Sequence, residues 1–270
     1  MIPYGTALVT GASGGIGEAF ARRLAAEGLD LLLVARSKGK LERLARELRK
    51  SCGIRAEVFA ADLAQPDPGI LLRDAADGFE LPVDLLVNNA GFGNSGHFHK
   101  LEAAREQEMI AVNIAALVDI THAFLPRMLS AKRGGIVNIA SLTAFQPTPF
   151  MSAYGASKAF VLSFSEGLWG EYRDQGIRVL AVCPGPVDTG FFEASGKPET
   201  RAMSRRLMLK PKRVVDDAID ALEKNRSLCV PGGLGQSVIA GLPRVAPRRW
   251  VAARLADVFG QSVQPTKRKT

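Results

Sequence analysis

Short apolar runs alternate along most of the chain with longer segments that are apolar on one side only. Residues 6–11 and 29–35 are largely apolar, which is typical of strands that are buried on both faces of a sheet. Between these runs, Ile16, Phe20 and Leu24 recur at the helical period and share one helix face. The alternation predicts an α/β protein with a doubly wound, seven-stranded, mostly parallel sheet and helices on both faces.

The same pattern indicates how the chain is organised. Two long helices are predicted over about residues 102–131 and 152–175. We expect a single domain over residues 1–235, with a variable segment at about 190–212, and a C-terminal helical extension with a basic tail over 236–270. No uninterrupted apolar run reaches the roughly 18 residues needed to span a membrane.

A glycine-rich loop joins the first predicted strand to the first helix. In VTGASGGIG the positions expected to meet a ligand are Gly11, Ser13, Gly14, Gly15, Ile16 and Gly17. Glycine allows a tight turn and a close backbone approach to a pyrophosphate, and the helix N-terminus presents its positive dipole end to the phosphates. The spacing departs from the usual G-x-G-x-x-G, and an ordinary strand–helix turn is the alternative interpretation.

The end of the second predicted strand bears on the choice of dinucleotide. An acid there would bind the 2′-hydroxyl of NAD, whereas an arginine accommodates the 2′-phosphate of NADP. The chain has LVARSKGK, with Arg36 at the tip and no acid. A guanidinium group can hold a phosphate with two hydrogen bonds, so we expect NADP(H), with Ser13 as a second contact. The alternative is that Arg36 only solvates a loop.

Four polar residues suggest proton transfer at the carboxyl ends of the later strands. Tyr154 and Lys158 in YGASK lie one helical turn apart, and a neighbouring ammonium would lower the pKa of the phenol and let it exchange a proton with an alkoxide. Gly155, Ala156 and Ser157 would let a cofactor lie against the helix. Ser141 ends the fifth strand and can donate to a carbonyl, while Asn113 occupies a position inside a helix that asparagine does not favour.

Taken together, these motifs resemble the short-chain dehydrogenase/reductase family, in its short, single-domain, NADP(H)-preferring branch, over about residues 4–230. TGASGGIG matches the family's cofactor loop, NNAG the turn after the fourth strand, and PGPVDTGF the loop on the nicotinamide side. The resemblance implies a Rossmann fold and further cofactor contacts at Asp62, Leu63, Asn89, Ala90, Gly91, Tyr154, Lys158, Pro184, Gly185, Val187 and Thr189. At the position of Gly14, many NADP-preferring members of the family carry a basic residue, and this chain does not.

The resemblance also implies the catalytic roles. Tyr154 would be the general acid and base, Lys158 would lower its pKa and bind the nicotinamide ribose, and Ser141 would polarise the carbonyl. Asn113 would hold a water that completes a proton relay. Hydride would pass between the nicotinamide and a carbonyl or secondary alcohol, and no metal is required.

The substrate side is predicted to be apolar with a basic rim. The expected lining is Phe92, Phe145, Pro147, Phe150, Met151, Phe191, Phe192, Met203, Leu207 and Met208. Beyond residue 196 the chain has 16 Lys and Arg against 6 Asp and Glu, whereas the preceding part has 19 against 21. A bulky apolar ketone or a 3-ketoacyl thioester fits this pattern. Ordinary core packing and a solvated charged face are the alternatives.

The C-terminal segment and the cysteines bear on partners and location. Trp250, Val251, Leu255, Val258 and Phe259 are predicted on one helix side, which would lie on a membrane surface or pack on the protein. The N-terminus has no signal-peptide pattern, and three widely spaced cysteines suggest free thiols, so we expect a cytoplasmic, membrane-peripheral or freely dissolved protein.

We expect a homodimer or homotetramer that binds a small carbonyl substrate and no nucleic acid. A catalytically silent NADP(H)-binding regulatory protein is the rival hypothesis, and the intact Tyr154 and Lys158 argue against it. His97 and His99 have no accompanying acid and are expected to be loop residues and not metal ligands.

Overall fold

The computed structural model describes residues 3–189, 191, 208–233, 235–236, 241 and 247–260. One seven-stranded sheet organises this part of the chain, in the order β3-β2-β1-β4-β5-β6-β7. All six strand pairings are parallel, which confirms the doubly wound prediction. The strands are β1 Thr6–Thr10, β2 Asp30–Ala35, β3 Ala56–Ala60, β4 Leu85–Asn88, β5 Gly134–Ile139, β6 Ile177–Val182 and β7 Leu228–Cys229.

Helices cover both faces of the sheet. They are α1 Gly15–Ala26, α2 Lys38–Cys52, α3 Pro68–Gly78, α4 Ala103–Ile110, α5 Leu117–Ser130, α6 Ser152–Tyr172, α7 Pro211–Glu223 and α8 Arg248–Gly260. A π-helical segment, Ala111–Ala116, joins α4 to α5, and short 3₁₀ turns occupy Phe98–Lys100 and Leu142–Phe145. The sequence pattern missed α3, because Ile70 and Leu71 are exposed and disturb its apolar period.

The core consists of two main clusters, one on each face of the sheet. Helices α1, α2 and α7 pack with strand residues such as Val9 and Leu33 on one face. Helices α3, α5 and α6 pack with Leu8 and Leu32 on the other face. Because consecutive strand residues point to opposite, buried faces, the strands are apolar at nearly every position. The strands that follow β1 are added on one side of it, and those that follow β4 are added on the opposite side of the sheet. Because the order reverses between β1 and β4, a crevice opens at the carboxyl ends of these two strands.

The last described helix, α8, packs against the protein. Val251 is buried, and Leu255 and Phe259 are partly buried on the same side of the helix. Trp250 and Val258 are 56% and 61% exposed. At the helical period the five apolar residues lie broadly on one side of α8, and only the part that carries Val251, Leu255 and Phe259 is covered by the protein.

One continuous helix among the described residues, Ala103–Ser130, is long and apolar enough to cross a membrane by length and composition alone. The apolar run within this helix is interrupted by Asn113 and Asp119, as the sequence shows, but the average hydropathy of the window stays high. In the fold this helix contributes Ile120, Phe124 and Met128 to the core against the sheet. A core helix passes the same test of composition.

Candidate active site

The glycine loop lies in the crevice between β1 and β4. A Cβ atom at Gly17 would lie 2.3 Å from the Gly11 carbonyl oxygen, and one at Gly11, which has a φ of 65°, would lie 2.6 Å from the Asn89 amide nitrogen. A Cβ at Gly14 would meet nothing within 4 Å. The loop is therefore pressed against the protein on one side and open on the other. Since α1 begins at Gly15 without a side-chain cap, the open side offers free backbone N–H groups, which fits a pyrophosphate.

The NNAG turn fastens the two central strands together. The backbone N–H groups of Asn89 and Ala90 both donate to the Thr10 hydroxyl at 2.9 Å, and the Asn89 side chain donates to the Thr10 carbonyl at 2.9 Å. A Cβ at Gly91 would lie 2.8 Å from the Asn113 side-chain oxygen and 3.5 Å from Lys158 Nζ. The turn thus brings the glycine loop and the predicted catalytic residues to one place.

The adenosine end of the crevice contains residues that the sequence pattern singled out. Asp62 and Leu63 follow β3, where the Asp62 carboxylate accepts from the Ala64 backbone N–H at 3.1 Å and Leu63 is buried. Arg36 follows β2, and its side chain is 62% exposed. Its guanidinium group donates to the Glu108 carboxylate at 3.2 Å. Arg36 was predicted as a phosphate ligand without any partner in the protein, so this ion pair is a new feature of the site.

A cavity of about 300 Å³ beside Ser13 contains cations that sequence reasoning missed. Its walls carry Arg22, Lys40 and Arg43. Glu18 and Glu47 bind Arg22, whereas Lys40 and Arg43 form no ion pair with any described residue. One sequence signal could have indicated these cations. The first turn of α2 begins KGK and contains no acid, although the helix dipole favours acidic residues at the N-terminal end. A phosphate bound here would satisfy both the dipole and the free cations.

The loop after β6 connects the glycine loop to the catalytic residues. Its predicted cofactor contacts are Pro184, Gly185, Val187 and Thr189. A Cβ at Gly15 would lie 3.0 Å from the Thr189 methyl group, and the Pro184 carbonyl accepts from the Leu142 N–H at 2.9 Å. Val187 is buried and forms a β-bridge with Leu209. The loop therefore spans the distance from α1 to the turn that carries Ser141.

Ser141, Tyr154 and Lys158 meet at the carboxyl end of β5. The Ser141 side chain hydrogen-bonds with Tyr154. Lys158 Nζ lies 5.8 Å from the centre of the Tyr154 ring and donates to the Ile139 carbonyl at 2.8 Å. Tyr154 is 7% and Lys158 is 5% exposed. Residues that are distant in sequence thus meet at the crevice, with Tyr154 and Lys158 buried and Ser141 partly exposed.

Asn113 lies in the π-helical segment, where one extra residue per turn displaces side chains from their α-helical positions. Its amide nitrogen donates to the Phe92 carbonyl and to the Ser157 hydroxyl, both at 3.0 Å, and its oxygen accepts from the Phe92 N–H at 3.1 Å. Ser157 in turn donates to the Tyr154 carbonyl at 2.7 Å. Both amide hydrogens are engaged, so a water at Asn113 would have to donate to its side-chain oxygen or bind its main chain.

The residues between Tyr154 and Lys158 do not form the flat surface for a cofactor that the sequence suggested. A Cβ at Gly155 would lie 2.7 Å from the Thr148 hydroxyl, and Ser157 is buried against Asn113. Both positions face the protein interior, because the helical period turns them away from the crevice. Ser157 is a positioning residue that the sequence pattern presented only as a small spacer.

Burial dominates the ionisation of this group. It raises the pKa of Tyr154 to about 12, although the hydrogen bond with Ser141 acts in the opposite direction. Burial also lowers the pKa of Lys158 to about 8. The prediction that the ammonium lowers the tyrosine pKa was wrong for the protein alone, since desolvation penalises both charged forms. At neutral pH, Tyr154 is a phenol and Lys158 is mostly an ammonium.

The described part of the substrate side is apolar. The Phe191 ring lies 5.5 Å from the Tyr154 ring, and a Cβ at Gly93 would lie 2.9 Å from Phe191 and 3.4 Å from Met151. A Cβ at Gly260, the end of α8, would lie 3.4 Å from the Phe150 ring. The C-terminal helix therefore reaches the residues that border this wall.

The remaining residues predicted for the substrate side do not all lie at the wall beside Phe191. Phe145 belongs to a core cluster, whereas Phe92 is buried beneath the guanidinium group of Arg105 in the same cluster as Tyr154, Met151 and Phe191. Lys212 and Arg213 form ion pairs along α7 with Asp216 and Asp217, which reduces the basic rim. Phe192, Met203 and Leu207, and the cations Arg201, Arg205 and Arg206, lie outside the described residues.

Comparisons with known proteins agree with this geometry. Residues 5–200 match the family model for short chain dehydrogenases. The chain is 39% identical, over 70% of its length and 62% of the relative's, to a very-long-chain 3-oxoacyl-CoA reductase of Anas platyrhynchos.

Two solved structures are similar over nearly their whole length. A short-chain dehydrogenase from Sphingobium yanoikuyae in complex with NADPH has a TM-score of 0.75 at 34% identity, and the match covers 98% of both chains. A bulky-bulky ketone specific alcohol dehydrogenase from Comamonas testosteroni has a TM-score of 0.73 at 30% identity, over 100% of this chain and 98% of the other. The glycine loop, the buried tyrosine and lysine and these similarities together show that the chain belongs to the short-chain dehydrogenase family.

Proposed function

We propose that the protein reduces a bulky apolar ketone or a 3-ketoacyl thioester with NADPH. The observation that carries this proposal is the buried Tyr154 phenol, which keeps its proton at neutral pH and lies beside the apolar side chain of Phe191. An apolar wall at the proton donor favours a substrate with a large apolar group next to its carbonyl. The names of the ketone-specific and 3-oxoacyl-CoA relatives support the same substrate class.

The proposed mechanism assigns one role to each polar residue. When bound in the crevice, the nicotinamide of NADPH would supply the hydride that the carbonyl carbon needs. Tyr154 gives its hydroxyl proton to the carbonyl oxygen, and Ser141 donates a hydrogen bond to the same oxygen. The Lys158 ammonium stabilises the phenolate that remains, and Asn113 holds the turn at Phe92 and, through Ser157, the start of α6. The oxygen gains one proton and the carbon gains one hydride, so the product is a secondary alcohol.

The proposed cofactor contacts follow the crevice from one end to the other. The glycine loop, the NNAG turn and the loop after β6 would hold the pyrophosphate and the nicotinamide. Ser13, Arg36 and the neighbouring cations Lys40 and Arg43 would hold the 2′-phosphate end. Asp62 and Leu63 would border the adenine. The open side of Gly14 and the unpaired cations support this arrangement.

The test is the rate of NADPH oxidation with short and long 3-ketoacyl thioesters, a ketosteroid and small aromatic aldehydes. Tyr154→Phe should lose turnover by about 100-fold or more while still binding NADPH, because only the proton donor is removed. Tyr172→Phe, on the same helix but away from the site, is the matched control. Full turnover in Tyr154→Phe would refute the assignment. Activity on small aldehydes alone would refute the bulky substrate.

The catalytically silent alternative is not favoured. A regulatory protein that only binds NADP(H) has no need for a proton donor, whereas here the Tyr154 phenol is hydrogen-bonded with Ser141 beside the apolar Phe191. If NADPH binds and none of the substrates above is reduced, the result would contradict the reductase proposal and favour a regulatory protein.

We also propose that residues 1–235 form the catalytic domain and that the molecule is a homodimer or homotetramer. Ile110 is 44% exposed on α4, and Phe160 is 39% exposed on α6, where it stacks on Phe164 at 5.8 Å. Exposed apolar residues on two adjacent helices suit a symmetric helix–helix interface. Phe160→Glu should lower the mass measured by analytical ultracentrifugation. An unchanged mass would exclude this surface.

The outer face of α8 supports peripheral contact with an anionic membrane by an otherwise cytoplasmic protein. Trp250, Arg254 and Val258 form one exposed stripe, and the Arg254 guanidinium lies 5.5 Å from the Trp250 ring centre. Cys52, Cys183 and Cys229 are free thiols, in keeping with a reducing compartment. We expect co-sedimentation with vesicles that contain phosphatidylserine, and its loss in the pair Trp250→Ser and Arg254→Ser. Equal binding by Lys224→Ser and the double variant would refute the contact.

A further inference from the structure

Glu108 on α4 is held by two arginines that come from different elements. Arg36, at the end of β2, donates to one carboxylate oxygen at 3.2 Å. Arg105, on the preceding turn of α4, donates to the other oxygen at 2.7 Å. The Glu108 side chain is 28% exposed, so the carboxylate is partly withdrawn from water between the two guanidinium groups.

This pair of guanidinium groups is a suitable site for a phosphate. Each can donate to an anionic oxygen, and two of them can neutralise the charge of nearly −2 that a phosphate monoester carries at neutral pH. Arg36 stands where the family places the ligand of the 2′-phosphate of NADP. The Glu108 carboxylate is therefore paired with the Arg36 guanidinium group that the 2′-phosphate of the cofactor requires.

We infer that Glu108 sets the discrimination between NADP(H) and NAD(H) by competing with the 2′-phosphate for Arg36. The inference rests on the proposed role of Arg36. When NADP(H) binds, the Arg36–Glu108 pair is exchanged for a pair between Arg36 and the phosphate, and Glu108 is left close to that phosphate. When NAD(H) binds, Arg36 stays with Glu108, and the carboxylate is available to accept from the ribose 2′-hydroxyl.

The contacts of Arg105 determine which substitution can test this inference. Its guanidinium group lies 3.8 Å from the centre of the Phe92 ring, and Phe92 exchanges two hydrogen bonds with Asn113. Truncation of Glu108 could release Arg105 and disturb this part of the site. Glu108→Gln keeps the size and one acceptor oxygen, so it removes the charge with the least change in packing.

The experiment is a fluorescence titration of Glu108→Gln with NADPH and with NADH. We expect the Kd for NADPH to fall about fivefold or more, since an exposed ion pair no longer opposes binding and a like charge is removed. The Kd for NADH should stay the same or rise. The ratio of the two constants is the readout, because a purely structural role would move both in the same direction. The change should shrink at 1 M salt, where exposed charges are screened.

Two further variants keep the outcome decisive. Glu102→Gln removes the same charge one and a half turns earlier on the helix, away from Arg36, and should leave the ratio unchanged. Arg36→Ala should abolish the preference for NADPH. If Arg36→Ala retains the preference, the proposed role of Arg36 fails. If Arg36→Ala loses it while Glu108→Gln leaves the ratio unchanged or weakens NADPH binding, the competition inferred for Glu108 is overturned and the role of Arg36 stands.

Discussion

Replacement of Lys158 by methionine should stabilise the fold while it removes activity. Burial lowers the pKa of Lys158 from 10.5 to about 8. The charged form is therefore less favourable in the folded protein than in the unfolded chain, by about 1.4 kcal/mol for each pKa unit. At neutral pH Lys158 is protonated in both the folded and the unfolded state. The lowered pKa then corresponds to a loss of about 3 kcal/mol in the free energy of unfolding.

Methionine has a similar shape and no charge, so it avoids this penalty. The substitution leaves the Ile139 carbonyl without the hydrogen bond that Lys158 now donates at 2.8 Å, and an unsatisfied buried acceptor costs about 1 kcal/mol. We therefore expect the free energy of unfolding of Lys158→Met to exceed that of the parent by about 2 kcal/mol at pH 7.

The sign of the pH dependence gives a second test. Between about pH 8 and pH 10.5 the folded protein releases the Lys158 proton while the unfolded chain still binds it, so the stability of the parent rises with pH. The advantage of Lys158→Met should therefore be full below about pH 8 and mostly lost by pH 10.5, the pKa of a lysine in the unfolded chain. Urea titrations at pH 7 and at about pH 9.5 measure both quantities.

Lys50→Met, at an exposed position of α2, is the control and should change the stability by less than about 0.5 kcal/mol. A Lys158→Met protein that is less stable than the parent at pH 7 would refute the argument from burial. An advantage that does not change with pH would show that packing, and not the charge, is responsible.

Three further tests concern the glycine loop, the buried amides and the pH profile. Gly17→Ala places a methyl group 2.3 Å from the Gly11 carbonyl oxygen, so we expect a loss of about 3 kcal/mol in urea titrations; a near-neutral effect would contradict the close approach. Asn138→Ala removes the hydrogen bond to Ser165 at 2.9 Å and should cost about 2 kcal/mol by calorimetry, unlike Gln107→Ala at an exposed position. The kcat/KM for NADPH should fall above about pH 8 as Lys158 loses its proton, and a flat profile to pH 9.5 would contradict the need for the ammonium.

The fold could be predicted from the sequence because its central strands are buried on both faces. Each such strand is a short apolar run, and the helices between runs carry one apolar face, as in α1 with Phe20 and Leu24. The pattern fails where packing is one-sided or weak. Helix α3 was missed because Ile70 and Leu71 are exposed, and α8 has Trp250 on the outside although its composition suggests burial.

The position of the predicted catalytic residues was accessible from sequence, whereas their local partners were not. Ser141, Tyr154 and Lys158 follow recognisable spacings and lie together in the structure. The pairing of Arg36 with Glu108 joins residues that are 72 positions apart, and no local pattern indicates it. The roles assigned to these residues remain predictions until the variants are measured.

Electrostatics depends on burial in a way that motifs do not contain. The YGASK pattern correctly brings Tyr154 and Lys158 close, but it suggests a phenol whose pKa falls toward neutrality. In the protein alone desolvation raises that pKa to about 12 and lowers that of Lys158 to about 8. A motif records which groups meet, whereas the pKa depends on how much water each group has lost.

The buried polar groups at this edge of the sheet connect stability with the proposed chemistry. Asn113 and Ser157 satisfy one another and hold the backbone at Phe92 and Tyr154, so they stabilise the fold where they lie. Lys158 differs from them, because its charge is buried without a carboxylate partner among the described residues, and its retention destabilises the folded state. A fold under selection for stability alone would replace such a lysine, as Lys158→Met is designed to show. Its presence is therefore a structural argument for a functional site, in which Lys158 would both hold the cofactor ribose and stabilise the Tyr154 phenolate.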